Sequence, residues 1–142
     1  MAKKIKIKRI VDTAGVRVGT PGEWIDICLP RAVEFKKGEP TFVKLGIAVK
    51  LPKDHEAIIA ERSSTFGRYG LLLTNSIGVI DNAYCGNNDE WGVLFYPTRN
   101  VYVPLGTRLL QFRIQKCQPK INVKYVAELN GEDRGGFGST GR

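Results

Sequence analysis

The chain has 142 residues, 42% of them apolar and 25% charged, with 22 Lys and Arg against 14 Asp and Glu for a net charge of +8. That is enough for one domain with its own core, and no run approaches the roughly eighteen consecutive apolar residues of a membrane span. A single histidine, His55, and three widely spaced cysteines, Cys28, Cys85 and Cys117, argue against imidazole chemistry, a disulfide framework and a zinc site. They point instead to free thiols in a reducing, cytoplasmic setting.

From the N-terminus, MAKKIKIKRI is basic but has no apolar run or small-residue cleavage site, so it is not expected to act as a secretory signal. Its Lys and Arg alternate with Ile5, Ile7 and Ile10 as one face of a strand would. Strands are expected over Lys4–Ile10, Trp24–Leu29, Thr41–Leu51, Glu56–Glu61, Leu71–Thr74, Gly78–Ile80, Trp91–Tyr96, Val101–Val103, Arg108–Gln115 and Ile121–Glu128. Turn sequences GTPG, KKGEP, LPKD, GNNDE, PTRN and VPLG separate them. His55, inside LPKDHE, reads as a solvated turn residue. No apolar residues recur at helical spacing over a long window, and only SSTFGRYG after Arg62 suggests a helical turn. The fold class is therefore all-β, a barrel or sandwich with at most one short helix. Residues 1–130 form the domain, and residues 131–142 are expected to be a flexible Gly-rich tail. The positive charge favours an anionic partner, nucleic acid or a small phosphorylated ligand.

Four stretches can carry chemistry. In GVIDNAYCG, Gly78–Gly86, Asp81 either caps a turn or, with Tyr84 and the upstream Asn75, walls a pocket for a polar planar ligand. In ERSSTFGRYG, Arg62 offers a fork of donors and Ser63 and Ser64 add hydroxyls near a helix start. These either bind an anion or form an N-cap with a surface Arg. In GTRLLQFRI, Gln111 must find partners in an otherwise apolar strand, on a ligand or inside the fold. The tail RGGFGSTG lacks the lysine and following helix of a Walker loop. Its glycines nevertheless allow close approach to phosphate, with Arg134, Ser139 and Thr140 as donors and Phe137 as a stacking ring.

The order of these stretches resembles the trimeric dUTP diphosphatase (dUTPase) family. The shared pattern is Arg-Ser-Ser, then Gly-Val-Ile-Asp-x-x-Tyr-x-Gly, then Gly-x-Arg-x-x-Gln, then Arg-Gly-Gly-Phe-Gly-Ser-Thr-Gly. Asp26 in EWIDICL stands where the family's first motif has its Asp. The resemblance implies a β jelly roll and a homotrimer with sites at subunit boundaries. It implies hydrolysis of dUTP to dUMP and pyrophosphate with Mg²⁺, by water attack on the α-phosphorus. Asp81 would be the general base, and Tyr84 would pack on the deoxyribose. Asn75 and the hairpin backbone would read uracil, while Arg62, Ser63, Ser64 and Gln111 would hold phosphates. Asp26 would support the metal indirectly, through water. Arg134, Ser139, Thr140 and Phe137 would close the tail over the substrate.

Two rivals remain. A dCTP deaminase would share the fold and the Arg-Ser-Ser-x-x-Gly-Arg-x-Gly pattern of Arg62–Gly70, but Val93-Leu94-Phe95-Tyr96 lacks the carboxylate that deaminases use. A non-enzymatic basic barrel would bind nucleic acid or a protein. No clear set of stacking aromatics accompanies the charge, so nucleic acid is not the expected partner.

Overall fold

The computed structural model describes residues 2–19 and 21–138. Among them, the chain forms eleven strands and one short helix. They are β1 (Lys6–Arg9), β2 (Gly15–Arg17), β3 (Ile25–Cys28), β4 (Val33–Phe35), β5 (Thr41–Lys50), β6 (His55–Glu61), α1 (Thr65–Tyr69), β7 (Leu71–Leu73), β8 (Gly78–Ile80), β9 (Glu90–Pro97), β10 (Val101–Val103) and β11 (Leu110–Lys116). A four-stranded sheet in the order β1-β5-β9-β7 faces a five-stranded sheet in the order β2-β3-β11-β6-β8, and β10 pairs with β4 at one end. All pairings are antiparallel. This is the expected jelly roll.

Alternation decides which face each strand buries. In β9, Trp91, Val93 and Phe95 point inward while Leu94 and Tyr96 point out. Ala57 and Ile59 of β6 and Leu110 and Phe112 of β11 complete the opposing wall. An edge-to-face pair of Trp91 with Phe112 (centroids 5.1 Å apart) bridges the two large sheets, and one of Phe35 with Phe95 (5.8 Å) joins β4 to the four-stranded sheet. Gly46 marks an irregularity in the β5–β9 register between Lys44 and Ala48. Its φ is +74°, and a Cβ there would lie 2.7 Å from Val11 Cγ2 and 2.8 Å from Ala14 Cβ.

Four expectations change. The strands β2 and β4 were not expected. Ile121–Glu128 is not a strand: Ile121, Val123, Tyr125 and Val126 are exposed, because among the described residues no strand pairs with them. β1 is shorter than expected and exposed along its length, leaving only Ile5 packed against the core from that stretch. His55 is buried rather than solvated; it opens β6, and its Nδ1 lies 2.8 Å from the Lys53 carbonyl oxygen.

Candidate active site

The five-stranded sheet positions one cluster on its outer face. Arg17, Asp26, Gln111 and Ala60 lie in one register row across β2, β3, β11 and β6. Residues directly opposite in such a row share a face. Asp26 is 3% exposed although it faces away from the core. Its burial is matched by charge: Arg62 Nε lies 3.3 Å from Oδ1 and Arg108 Nη1 lies 3.0 Å from Oδ2. Arg62 also donates to the Arg108 carbonyl at 3.3 Å. Two guanidiniums on one carboxylate leave a net positive corner, suited to an anion.

Gln111 lies in the same row, and its Nε2 donates to the Glu61 carbonyl at 3.2 Å. Its burial is thus answered inside the fold. Ser63 and Ser64 are exposed just beyond Arg62. Ser64 is the N-cap of α1, without a capping bond from its side chain. Thr65 anchors the helix: buried, it donates from Oγ1 to the Leu109 carbonyl at 2.7 Å. Gly70, at φ +66°, ends the helix with its N–H on the Phe66 carbonyl.

The second cluster lies past the end of β8. Asp81 and Tyr84 are exposed and line a cleft of about 270 Å³ with Phe42, Val79, Ile80, Glu90 and Gly92. The Tyr84 hydroxyl donates to the Glu90 carbonyl at 2.9 Å, and the Tyr84 N–H donates to the Asp81 carbonyl at 3.1 Å. Asn75 lines an adjoining cleft of about 130 Å³ with Ile77, Gly78 and Gly92. In the GNNDE turn, the Asp89 carboxylate accepts from the Gly86 N–H and the Glu90 carboxylate from the Gly46 N–H.

Within one chain these clusters are separate. Ile80, next to Asp81, pairs with Ala57, whereas Gln111 pairs with Ala60. At about 3.3 Å per residue and 4.8 Å per strand, Asp81 and Gln111 are about 13 Å apart along the strands and 10 Å across them. Arg134 and Phe137 are fully on the surface, Phe137 without cover from its own chain. Ser139 and Thr140 lie outside the described residues.

Sequence reading missed three residues. Arg108 stands in GTRLLQFRI with no role assigned from sequence, and its role depends on a partner 82 positions away. Thr65 carried no signal beyond helix entry. Asn82 stands in GVIDNAYCG with no role assigned from sequence, yet its Nδ2 donates to two carbonyls, those of Pro52 and His55, each at 2.8 Å. Among the described residues, no three His, Cys, Asp or Glu side chains converge to hold a metal. No described helix is long and apolar enough to cross a membrane.

The dUTPase family model matches residues 24–141. The SPbeta prophage-derived deoxyuridine 5'-triphosphate nucleotidohydrolase of Bacillus subtilis is 42% identical over 139 residues, 97% of this chain and 98% of that protein. The deoxyuridine 5'-triphosphate nucleotidohydrolase of Thermobifida fusca is 33% identical over 97% of this chain and 79% of its own length. Among solved structures, the Staphylococcus bacteriophage 80alpha dUTPase with dUpNHpp superposes with a TM-score of 0.80 at 18% identity, covering 99% of this chain and 100% of that one. A mutant dUTPase from phage phi11 of S. aureus, described with a structural Mg(II) ion, gives 0.74 at 16% identity, covering 90% of this chain and 99% of that one.

Proposed function

The chain belongs to the dUTPase family, and on that premise we propose that it hydrolyses dUTP to dUMP and pyrophosphate. The observation that carries this reading is the pairing of Asp81 with Tyr84 on the rim of one cleft, beside the Asn75 cleft. A carboxylate there can take a proton from water, and phosphoryl chemistry needs positioning and charge neutralisation more than a protein nucleophile. Asp81 is the general base. Tyr84, its hydroxyl fixed on the Glu90 carbonyl, presents its ring to the deoxyribose and leaves no room for a 2'-hydroxyl. Asn75 and the adjoining backbone face the uracil edge.

Arg62, Ser63, Ser64 and Gln111 bind the phosphates from a neighbouring copy, since one chain keeps them far from Asp81. A homotrimer accounts for that division. Two features support it: the exposed apolar arm containing Ile121, Val123 and Tyr125, and the outward apolar pairs Phe42–Leu94 and Leu72–Tyr96 on the four-stranded sheet. Residues 1–130 form the domain, its strands ending with β11 at Lys116 and the arm following them. Residues 131–142 close over the site, with Phe137 covering the base and Arg134, Ser139 and Thr140 on the outer phosphates. The three free cysteines suit the cytoplasm.

Mg²⁺ fits this donor set as a cation brought by the triphosphate. Both oxygens of Asp26 already face arginines, so Asp26 acts on the metal indirectly, by orienting Arg62 and Arg108 and through water. Bound to the triphosphate, Mg²⁺ would offset part of its negative charge, with Arg62 and Arg108 supplying more positive charge from the chain.

The test is incubation with Mg²⁺ and dUTP or dCTP, with products resolved by chromatography. dUMP and pyrophosphate from dUTP are expected. Turnover of dCTP to a uracil nucleotide would move the chain to the deaminases, and no turnover of either would refute an enzymatic role.

A further inference from the structure

We infer that Asn82 is a positioning residue that fixes the Asp81 carboxylate by tying its loop to the Pro52–His55 turn. This rests on Asp81 being the base of the proposed reaction.

The β6–β8 ladder runs through Ile59–Gly78, Ile58–Val79 and Ala57–Ile80 and stops there. One further register step would set Asp81 opposite Glu56, but the ladder ends before it and does not itself hold Asp81. Instead the Asn82 amide takes over from the ladder: both hydrogens of Nδ2 are used, one on the His55 carbonyl and one on the Pro52 carbonyl, each at 2.8 Å. Asp81 is therefore a single residue between two fixed points, the last rung at Ile80 and the tether at Asn82. The Tyr84 N–H on the Asp81 carbonyl supplies a third.

The anchor is itself rigid. The His55 N–H closes the turn on the Pro52 carbonyl at 3.2 Å, and the Asp54 carbonyl accepts the Cys117 N–H at 2.8 Å. Asp54 holds a left-handed φ of 59° within it. A base acts only within hydrogen-bond reach of its proton, and a displacement of about 1 Å at a reacting group is worth about 100-fold in rate. An amide with two donors at this position restricts such displacement, whereas a side chain with none does not.

The experiment compares full-length wild type with Asn82→Ala, Asn82→Asp and Asn82→Ser for steady-state dUTP hydrolysis, thermal midpoint and oligomeric state. Asn82→Asp keeps the shape but turns both donors into acceptors facing carbonyls. Asn82→Ser keeps one donor. The expected result is kcat lowered at least about tenfold in Ala and Asp, with KM for dUTP within about threefold of wild type and Ser intermediate. Unchanged kcat in Asn82→Asp, or a loss confined to KM, overturns the inference. So does a graded fall in thermal midpoint with kcat constant at a temperature where all variants are folded. A wild-type chain that leaves dUTP intact removes the underlying reading and this inference with it. Active wild type beside unimpaired variants removes the inference alone.

Discussion

Arg108 donates from Nη1 to Asp26 Oδ2 at 3.0 Å across 82 positions of sequence, closing the second side of a carboxylate that Arg62 already approaches at 3.3 Å. This pairing joins the turn before β11 to the middle of β3 and makes a buried anion tolerable. Asp26→Ala would leave two cations facing each other without their counter-charge. Breaking a buried pair typically destabilises by about 3–5 kcal/mol. The arginine side chains are 29% exposed, so a loss of about 2–3 kcal/mol is expected here. Urea denaturation of Asp26→Ala and Asp26→Asn would measure it, with Asn the milder of the two.

Asp81→Asn keeps the size of the side chain and removes its basicity. Turnover should fall by about 10²–10⁴-fold while KM for dUTP changes little. A rise in KM with intact kcat would assign Asp81 to binding instead. Steady-state assays with and without a pre-steady-state burst would separate the two.

Removal of residues 133–142 should leave the barrel folded, because Arg134 and Phe137 are themselves exposed and no strand lies in that stretch among the described residues. Activity should drop by about 10²-fold, the scale set by loss of close positioning. Circular dichroism and dUTP hydrolysis on the same sample test both halves of the expectation.

Gly46→Ala places a Cβ 2.7 Å from Val11 Cγ2 on a backbone with φ +74°. Overpacking and a left-handed alanine each oppose the fold. A destabilisation of about 2–4 kcal/mol is expected, seen as a lower denaturation midpoint with an unchanged slope.

Partial burial raises the Cys117 thiol above its ordinary range, and the charges of Glu56, Asp54 and Asp81 raise it further. A raised pKa means less thiolate at a given pH, so near pH 8 Cys117 should alkylate more slowly than the exposed Cys85. Asp81→Asn removes one of the raising charges and should speed Cys117 alone. Mass-resolved iodoacetamide labelling reads both sites.

Much of this was legible from residue pattern. β6, β9 and β11 carry enough alternation to show which side chains want burial, and GVIDNAYCG offers Asp81 and Tyr84 as one wall of a pocket beside the alternative of a capped turn. The short strands were not legible. Three residues such as Gly15–Arg17 show no period, and their partners, among them Asp26 for Arg17, are set by the fold. Ile121–Glu128 shows the opposite failure: its alternation marks apolar side chains in need of cover, but not that the cover is missing from their own chain. The Arg108–Asp26 contact and the Asn82 tether are likewise distant in sequence, and only the completed sheets bring them together.

The spacing between the Asp81 rim and the Gln111 row has a genetic consequence. If each working site draws its base from one copy and its phosphate-holding row from another, two inactive alleles need not stay inactive in one cell. Chains disabled at Asp81 and chains disabled at Gln111, co-expressed, would assemble some sites from the sound half of each. Intragenic complementation should then restore hydrolysis that neither allele supports alone.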